Sequence, residues 1–296
     1  MNEIEPLPKL AKRDPEGHKG DYGRALLIGG SRGMAGAIGL AGIACLRSGA
    51  GLVRVAVPDS VLDAVSTFEP SLMTSPLADK DGRIAAPAKK ELLPMLKVAT
   101  AVACGPGLSR STELDELVAW LYTTLPQPAV FDADALNALA AQPDALRNPG
   151  GPRILTPHPG EFARLSGTQG ATAESDRERM EARAVQLAAL WGVVIVLKGH
   201  RTLITDGARR SHNSTGNPGM ATGGAGDVLT GVTTALLCQG LAPYDAARLA
   251  THVHGLAGDL AAAELGEVSL IASDLLRFLP AALRTVSDGP RASASG

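Results

Sequence analysis

The stretch Asn217-Pro-Gly-Met-Ala-Thr-Gly-Gly-Ala-Gly-Asp227 carries the strongest chemical signal in this chain. It runs directly into VLTGVTTALLCQG, a long apolar segment that reads as a helix. Gly223, Gly224 and Gly226 let successive backbone N–H groups converge at that helix N-terminus. Such a cradle, made from Gly224, Ala225 and Gly226, holds an anion, and the helix dipole adds to the attraction. An aspartate beside a phosphate is repelled. Asp227 makes sense there if it takes a proton from a hydroxyl that attacks the phosphate. The competing reading is a carboxylate in a helix first turn, a common stabilising feature. Three glycines in the four preceding residues favour chemistry.

Other loops are also rich in polar groups and glycine. Lys198-Gly-His-Arg-Thr202 follows the apolar run VVIVL, and a cation there could pair with phosphate. Taken alone, a hairpin turn with a solvated lysine is the stronger reading. Thr156-Pro-His-Pro-Gly-Glu161 fixes one histidine between two prolines. Glu161 could support a magnesium ion through water, or act as a helix first-turn carboxylate. Asp132-Ala-Asp134-Ala-Leu-Asn137 could orient magnesium or ribose, or cap the helix that begins near Ala135. Gly105-Pro-Gly-Leu-Ser109 is a tight turn with exposed backbone. His252 and His254, at i and i+2 on a helix, point to different faces and read as packing residues.

Gly30, Gly33 and Gly36 superficially match a dinucleotide-binding turn. Direct ligand contact and a tight turn with close helix–strand packing at Gly36 and Ala37 are equally compatible with them. A short-chain dehydrogenase needs a tyrosine four residues before a lysine. The three tyrosines are followed at that distance by Leu26, Pro126 and Arg248, which excludes hydride transfer of that type.

The elements that position these loops alternate in kind. ALLIGG, LVRVAVP, AVACGPG, AVFDAD, RILTPHPG and VVIVLKG read as buried strands, each ending in a polar or glycine turn. GAIGLAGIACLRSG, AAPAKKELLPMLK, STELDELVAWLYTTL, DALNALAA and TAESDRERMEARAVQLAALWG read as helices between them. The last opens with Ser175 and Glu178 at capping-box spacing. RTLITDG and RRSHNS form a hairpin, and three helices start near Gly224, Pro243 and Ile271. The pattern predicts an α/β fold, a mostly parallel sheet with helices on both faces. Ligands then collect at the C-terminal strand ends, where these loops lie. No linker divides the chain, so residues 1–288 are expected to form a single domain and residues 289–296 a frayed polar tail.

Composition removes several function classes. The 296 residues carry 28 Lys plus Arg against 30 Asp plus Glu, a formal charge of −2. A near-neutral chain is neither a nucleic-acid coat nor a polybasic membrane binder. Aromatic residues at 3% disfavour a base-stacking platform. The 34 glycines and 20 prolines stay below the ~25–30% share of low-complexity chains. Cys45, Cys104 and Cys238 lie far apart in apolar runs, as free buried thiols do in a reducing compartment. The N-terminal residues lack an apolar signal core, and no apolar run reaches the ~20 residues of a membrane span. A soluble cytoplasmic protein is expected.

Taken together the loops resemble the ribokinase-like superfamily, through Gly223-Gly-Ala-Gly-Asp227. Within it the chain resembles the ADP-dependent NAD(P)H-hydrate dehydratases. The resemblance rests on HKGDYGRALLIGGSRGMAGA, LRSGAGLVRVAVP, GPGL, FDADALNAL, LTPHPGEFARL, VLKGHRTLI and NPGMATGGAGDVLTG, from about His18 to about Gly258. It implies that an adenine nucleotide lies along Lys198, Gly199, His200, Arg201 and Thr202, with Gly226 donating to phosphate. It implies that the hydrated nicotinamide cofactor touches Ala37, Gly107, His158 and Asp227. Ala225 stands where kinase relatives carry Thr or Ser, which removes a hydroxyl but keeps the backbone cradle. The implied reaction uses ADP as phosphoryl donor with Mg2+. Asp227 deprotonates the ring hydroxyl of the S hydrate, the oxygen attacks the terminal phosphate, and elimination restores NADH or NADPH. The resemblance also implies a homo-oligomer, a tetramer, working with a separate NAD(P)H-hydrate epimerase. Two alternatives share the cradle: a kinase of a small vitamin-precursor alcohol, and a non-catalytic nucleotide sensor.

Overall fold

The computed structural model describes residues 6–168 and 177–287. In chain order the elements are β1 (Arg24–Ile28), α1 (Ala35–Arg47), β2 (Leu52–Pro58), α2 (Leu62–Ser66), β3 (Met73–Leu77), β4 (Asp79–Lys80), β5 (Arg83–Ile84), α3 (Ala88–Val98), β6 (Ala101–Cys104), α4 (Thr112–Thr124) and β7 (Ala129–Phe131). They continue with α5 (Asp134–Ala140), β8 (Arg153–Leu155), α6 (Pro159–Ser166), α7 (Arg177–Trp191), β9 (Val194–Leu197), β10 (Leu203–Thr205), β11 (Arg210–His212), α8 (Ala225–Cys238), α9 (Pro243–Leu265) and α10 (Ala272–Ser287).

Nine strands join in one sheet in the order β11-β10-β9-β8-β7-β6-β1-β2-β3. Its pairings from β3 to β9 are parallel, while β10 and β11 complete it antiparallel, as the hairpin reading requires. All six expected strands are present. The edge strand β3, MTSPL, has no clear alternation and contains Pro76, which only an edge or bulge tolerates. Ser175 of the expected capping box lies outside the described residues, as does the 289–296 tail.

The strands bury both faces, and successive residues feed two separate cores. Leu27, Val55, Ala103, Val130 and Val196 pack toward α1, α8, α9 and α10. Leu26, Ile28, Val102, Phe131 and Leu197 pack toward α3, α4, α5 and α7. This is the period-2 geometry of strands covered on both sides. Helix α8 is buried along nearly its whole length. It lies so close to α1 that a Cβ at Gly231 would stand 2.1 Å from the Ala41 carbonyl oxygen.

From β1 the strand order runs outward in two directions, through β2 on one side and β6 on the other. The loops after β1 and β6 therefore flank a topological switch point, the usual ligand crevice of such sheets. These loops are stitched together. Gly30 N–H donates to Pro106 O at 2.8 Å, and the Ser31 hydroxyl donates to Gly107 O at 2.8 Å.

Candidate active site

Gly224 is the N-cap of α8 and takes φ +93°, a conformation that favours glycine. A Cβ there would stand 2.6 Å from Leu40 Cδ1 and 2.9 Å from Ala272 Cβ, so a side chain is excluded on two counts. Ala225, Gly226 and Asp227 form the first turn of α8, whose N–H groups lack intrahelical acceptors. The Ala225 N–H is partly engaged, 3.5 Å from Thr222 O. Gly223 faces open space. His254 Nε2 lies 2.8 Å from the Ala225 carbonyl. Burial lowers the pKa of His254 to about 4, so the ring is neutral and donates to that oxygen. The packing role expected of this histidine is therefore directed at the cradle itself.

Asp227 is half-buried. Its pKa is raised to about 7, first by burial and then by the charge of Asp132, with Lys198 acting in the opposite direction. A carboxyl tuned to neutral pH suits a general base.

Lys198, at the end of β9, departs from the solvated hairpin lysine favoured when that motif is read alone. Its side chain is 20% exposed, and Nζ lies 2.8 Å from Asp132 Oδ1 and 3.8 Å from Glu161 Oε2. Burial works against the Lys198 charge, but Asp132 and Glu161 prevail and hold its pKa above the usual value. Asp132 is 1% exposed, and its Oδ2 accepts from the Thr230 hydroxyl at 2.7 Å. Burial also works against the Asp132 charge, and Lys198, Thr230 and Thr156 hold its pKa below the ordinary range. A Cβ at Gly226 would stand 3.3 Å from Lys198 Nζ. The partly buried ammonium thus sits beside the cradle, and glycine at 226 leaves the space between them open.

Helix capping at α5 does not involve Asp132. Its N-cap is Ala133, at φ +50°, with no side-chain cap. Asp134 Oδ2 accepts from Ser109 N–H at 2.8 Å, and Asn137 Oδ1 accepts from Arg164 Nε at 2.7 Å. At α6 the capping reading of Glu161 is realised. His158 Nδ1 accepts from Gly160 N–H at 3.0 Å, and Glu161 Oε2 accepts from His158 N–H at 2.8 Å. This reciprocal box fixes the His158 tautomer with Nε2 protonated and the ring on the exposed rim. Burial raises the Glu161 pKa, while burial and the Lys198 charge lower that of His158.

Close helix–strand packing at Gly36 is not found: a Cβ there would meet nothing within 4 Å. Gly33 also faces open space. Ala37 and Gly107 do meet, since a Cβ at Gly107 would stand 3.0 Å from Ala37 Cβ. The turn from Lys198 to Thr202 carries two residues at positive φ, Gly199 at +135° and Arg201 at +52°. Among the described residues no group of three His, Cys, Asp or Glu side chains could hold a metal ion, so the site has no protein-built cage. No described helix is long and apolar enough to cross a membrane.

The switch point in the sheet, the glycine-led first turn of α8 and its partly buried carboxyl define a ribokinase-like α/β protein. A ribokinase-like superfamily protein from Enterococcus faecalis shares the fold with a TM-score of 0.77 at 26% identity, covering 95% of this chain and 93% of that one. A family model described as NAD(P)H-hydrate dehydratase matches residues 25–281, and the chain belongs to this family. The ADP/ATP-dependent NAD(P)H-hydrate dehydratase of Bacillus subtilis, co-crystallized with ATP and Mg2+, has a TM-score of 0.78 at 32% identity, covering 94% of this chain and 95% of that one. The bifunctional NAD(P)H-hydrate repair enzyme of Moorella thermoacetica is 46% identical over 283 residues, 95% of this chain and 53% of that protein. The chain spans about half the length of the curated relatives it matches.

Proposed function

We propose that this chain dehydrates the S epimer of hydrated NADH or NADPH, using ADP as phosphoryl donor and releasing AMP and orthophosphate. The observation that carries the reading is Asp227, a half-buried carboxyl with its pKa raised to about 7 in the glycine-led first turn of α8. The hydrate lies against Ala37, Gly107, His158 and Asp227. Asp227 takes the proton of the ring hydroxyl, and the freed oxygen attacks the terminal phosphorus of ADP. The bond from that phosphorus to the bridging oxygen breaks, and AMP leaves. The N–H groups of Gly224, Ala225 and Gly226 stabilise the transferring phosphoryl group, and Lys198 Nζ neutralises charge beside Gly226. The hydroxyl has become a phosphate ester, a far better leaving group than hydroxide. Its C–O bond breaks as the neighbouring ring carbon loses a proton, and the double bond returns.

The nucleotide runs along Lys198, Gly199, His200, Arg201 and Thr202. A magnesium ion would arrive on the nucleotide phosphates and supply further positive charge. The surplus of carboxylates around one lysine, Asp132, Glu161 and Asp227, suits a hydrated cation better than direct coordination. An epimerase acting on the R hydrate would supply the remaining substrate.

The test is incubation with hydrated NADH and ADP. Recovery of the reduced-nicotinamide absorbance with stoichiometric AMP and phosphate is the expected result. A stable phosphorylated alcohol without that recovery would mark a kinase instead.

A further inference from the structure

Arg177, at the start of α7, makes contacts that its position in sequence does not suggest. Its guanidinium forks onto two consecutive carbonyls at the end of β9. Nη2 donates to Leu197 O at 3.2 Å and Nη1 to Lys198 O at 3.1 Å. Nε donates to Glu181 Oε1 at 2.8 Å, and Glu181 Oε2 lies 2.9 Å from His212 Nε2 on β11. Next to His212, Asn213 N–H donates to Thr202 O at 2.9 Å. One network therefore grips the turn from Lys198 to Thr202 at both ends, drawing on α7, β9 and β11.

The turn needs such a grip. Arg201 holds φ +52°, a left-handed conformation that is unfavourable for a residue with a side chain. Strain of this kind persists only where the surroundings over-determine it. Gly199 at φ +135° leaves room for the fork, since a Cβ there would stand 3.2 Å from Arg177 Nη1. The Glu181 carboxylate is stabilised against burial by His212 and Arg177, which keeps its pKa below the usual value.

We propose that Arg177 is a positioning residue for nucleotide binding. Backed by Glu181 and His212, it holds the strained Lys198–Thr202 turn in its nucleotide-accepting shape without touching substrate. This rests on the nucleotide placement given above. Without the fork, the turn relaxes toward unstrained conformers and must be reordered each time a nucleotide binds.

The experiment measures binding of a fluorescent adenine nucleotide to the full chain, alongside steady-state kinetics and thermal denaturation, for wild type, Arg177→Met, Arg177→Lys and Glu181→Gln. Arg183→Met, an exposed change on the same helix, is the control. Loss of two charge-assisted hydrogen bonds predicts nucleotide Kd and KM raised about tenfold in Arg177→Met, with kcat and the hydrate KM within about twofold. Arg177→Lys, which reaches one carbonyl, falls between wild type and Arg177→Met, and so does Glu181→Gln. Unchanged nucleotide affinity in Arg177→Met overturns the proposal. So does a parallel loss in nucleotide affinity, hydrate KM and Tm, which marks a merely structural arginine. Wild-type protein that binds no adenine nucleotide removes the functional reading first, and this inference with it.

Discussion

Two cations, one buried and one partly buried, lie at opposite edges of the sheet, and they are satisfied by different chemistry. Arg153 opens β8 at the N-terminal edge and is 1% exposed. Its guanidinium donates to the carbonyls of Tyr122, Leu125, Gln127 and Pro152, among them Tyr122 O at 2.7 and 2.9 Å. Each of these acceptors is a neutral backbone oxygen, and burial brings the Arg153 pKa down to about 10. Lys198, at the C-terminal edge, is met by carboxylates. Carbonyls around a planar fork make a rigid pin. A single ammonium among several acids groups carboxyls of different pKa beside the first turn of α8. Under the proposed function, the sheet is organised for stability at one edge and for chemistry at the other.

The largest effect should come from Asp227→Asn. Losing the base predicts a fall in kcat of about 10²–10⁴-fold, with nucleotide affinity nearly unchanged. Wild-type turnover in the variant would refute the assignment. The same substitution separates function from stability. The carboxyl is raised from 3.8 to about 7 in the folded protein, so its contribution to stability is complete below pH 3.8 and is lost as pH rises through about 7. Asp227→Asn should therefore melt higher than wild type above pH 7, and the gap should close toward pH 4. A variant that melts lower at pH 8 would show that the carboxylate stabilises the fold.

Lys198→Met tests the C-terminal cation. The prediction is a loss in kcat/KM of about 10²-fold, the usual scale for removing one charge-stabilising donor. Asp132 is left buried without its cation, so some fall in Tm accompanies it. The two cations part company in their dominant readout. Arg153→Met orphans several buried carbonyls and should cost about 3 kcal/mol of stability, with activity per folded molecule retained. Thermal denaturation should register a drop of about 5 °C. If Arg153→Met loses turnover while keeping its Tm, the division between the two edges fails.

How much of this was legible in the sequence depended on distance along the chain. Asp227 and its glycines are contiguous, so the cradle could be read directly. So could the hairpin after β9 and the helix starts at α8, α9 and α10, which turn residues and apolar periodicity mark locally. The pairing of Lys198 with Asp132 spans 66 residues, and nothing in either motif announces the other. Read alone, the Lys198 motif therefore looks like a solvated hairpin turn, and Asp132 fits a magnesium or ribose contact as well as it fits a helix cap. Nothing in the sequence marks Arg153, because an arginine at the head of an apolar run looks like a strand end in solvent. Its acceptors are backbone carbonyls, which leave no sequence signature. Glu161 was ambiguous for a different reason: a first-turn carboxylate and a cation ligand require the same residue at the same place.

The smallest effect expected is a displacement of the pH profile, and it tests how the carboxylates act on one another. Asp227 must be ionised to accept a proton, so kcat/KM should rise with pH through about 7 in the wild type. Burial is the first cause of that high value, and the negative charge of Asp132 is the second. Asp132→Asn removes the repelling charge and releases Lys198 from its partner. Both changes favour the ionised form of Asp227, so the midpoint should move to lower pH. A midpoint moving upward would mean that Asp132 acts mainly by holding Lys198 within reach of Asp227, and that the freed ammonium swings away. The direction of this shift therefore decides whether the acids around Lys198 act on the base through their own charge or through the position of the cation they hold.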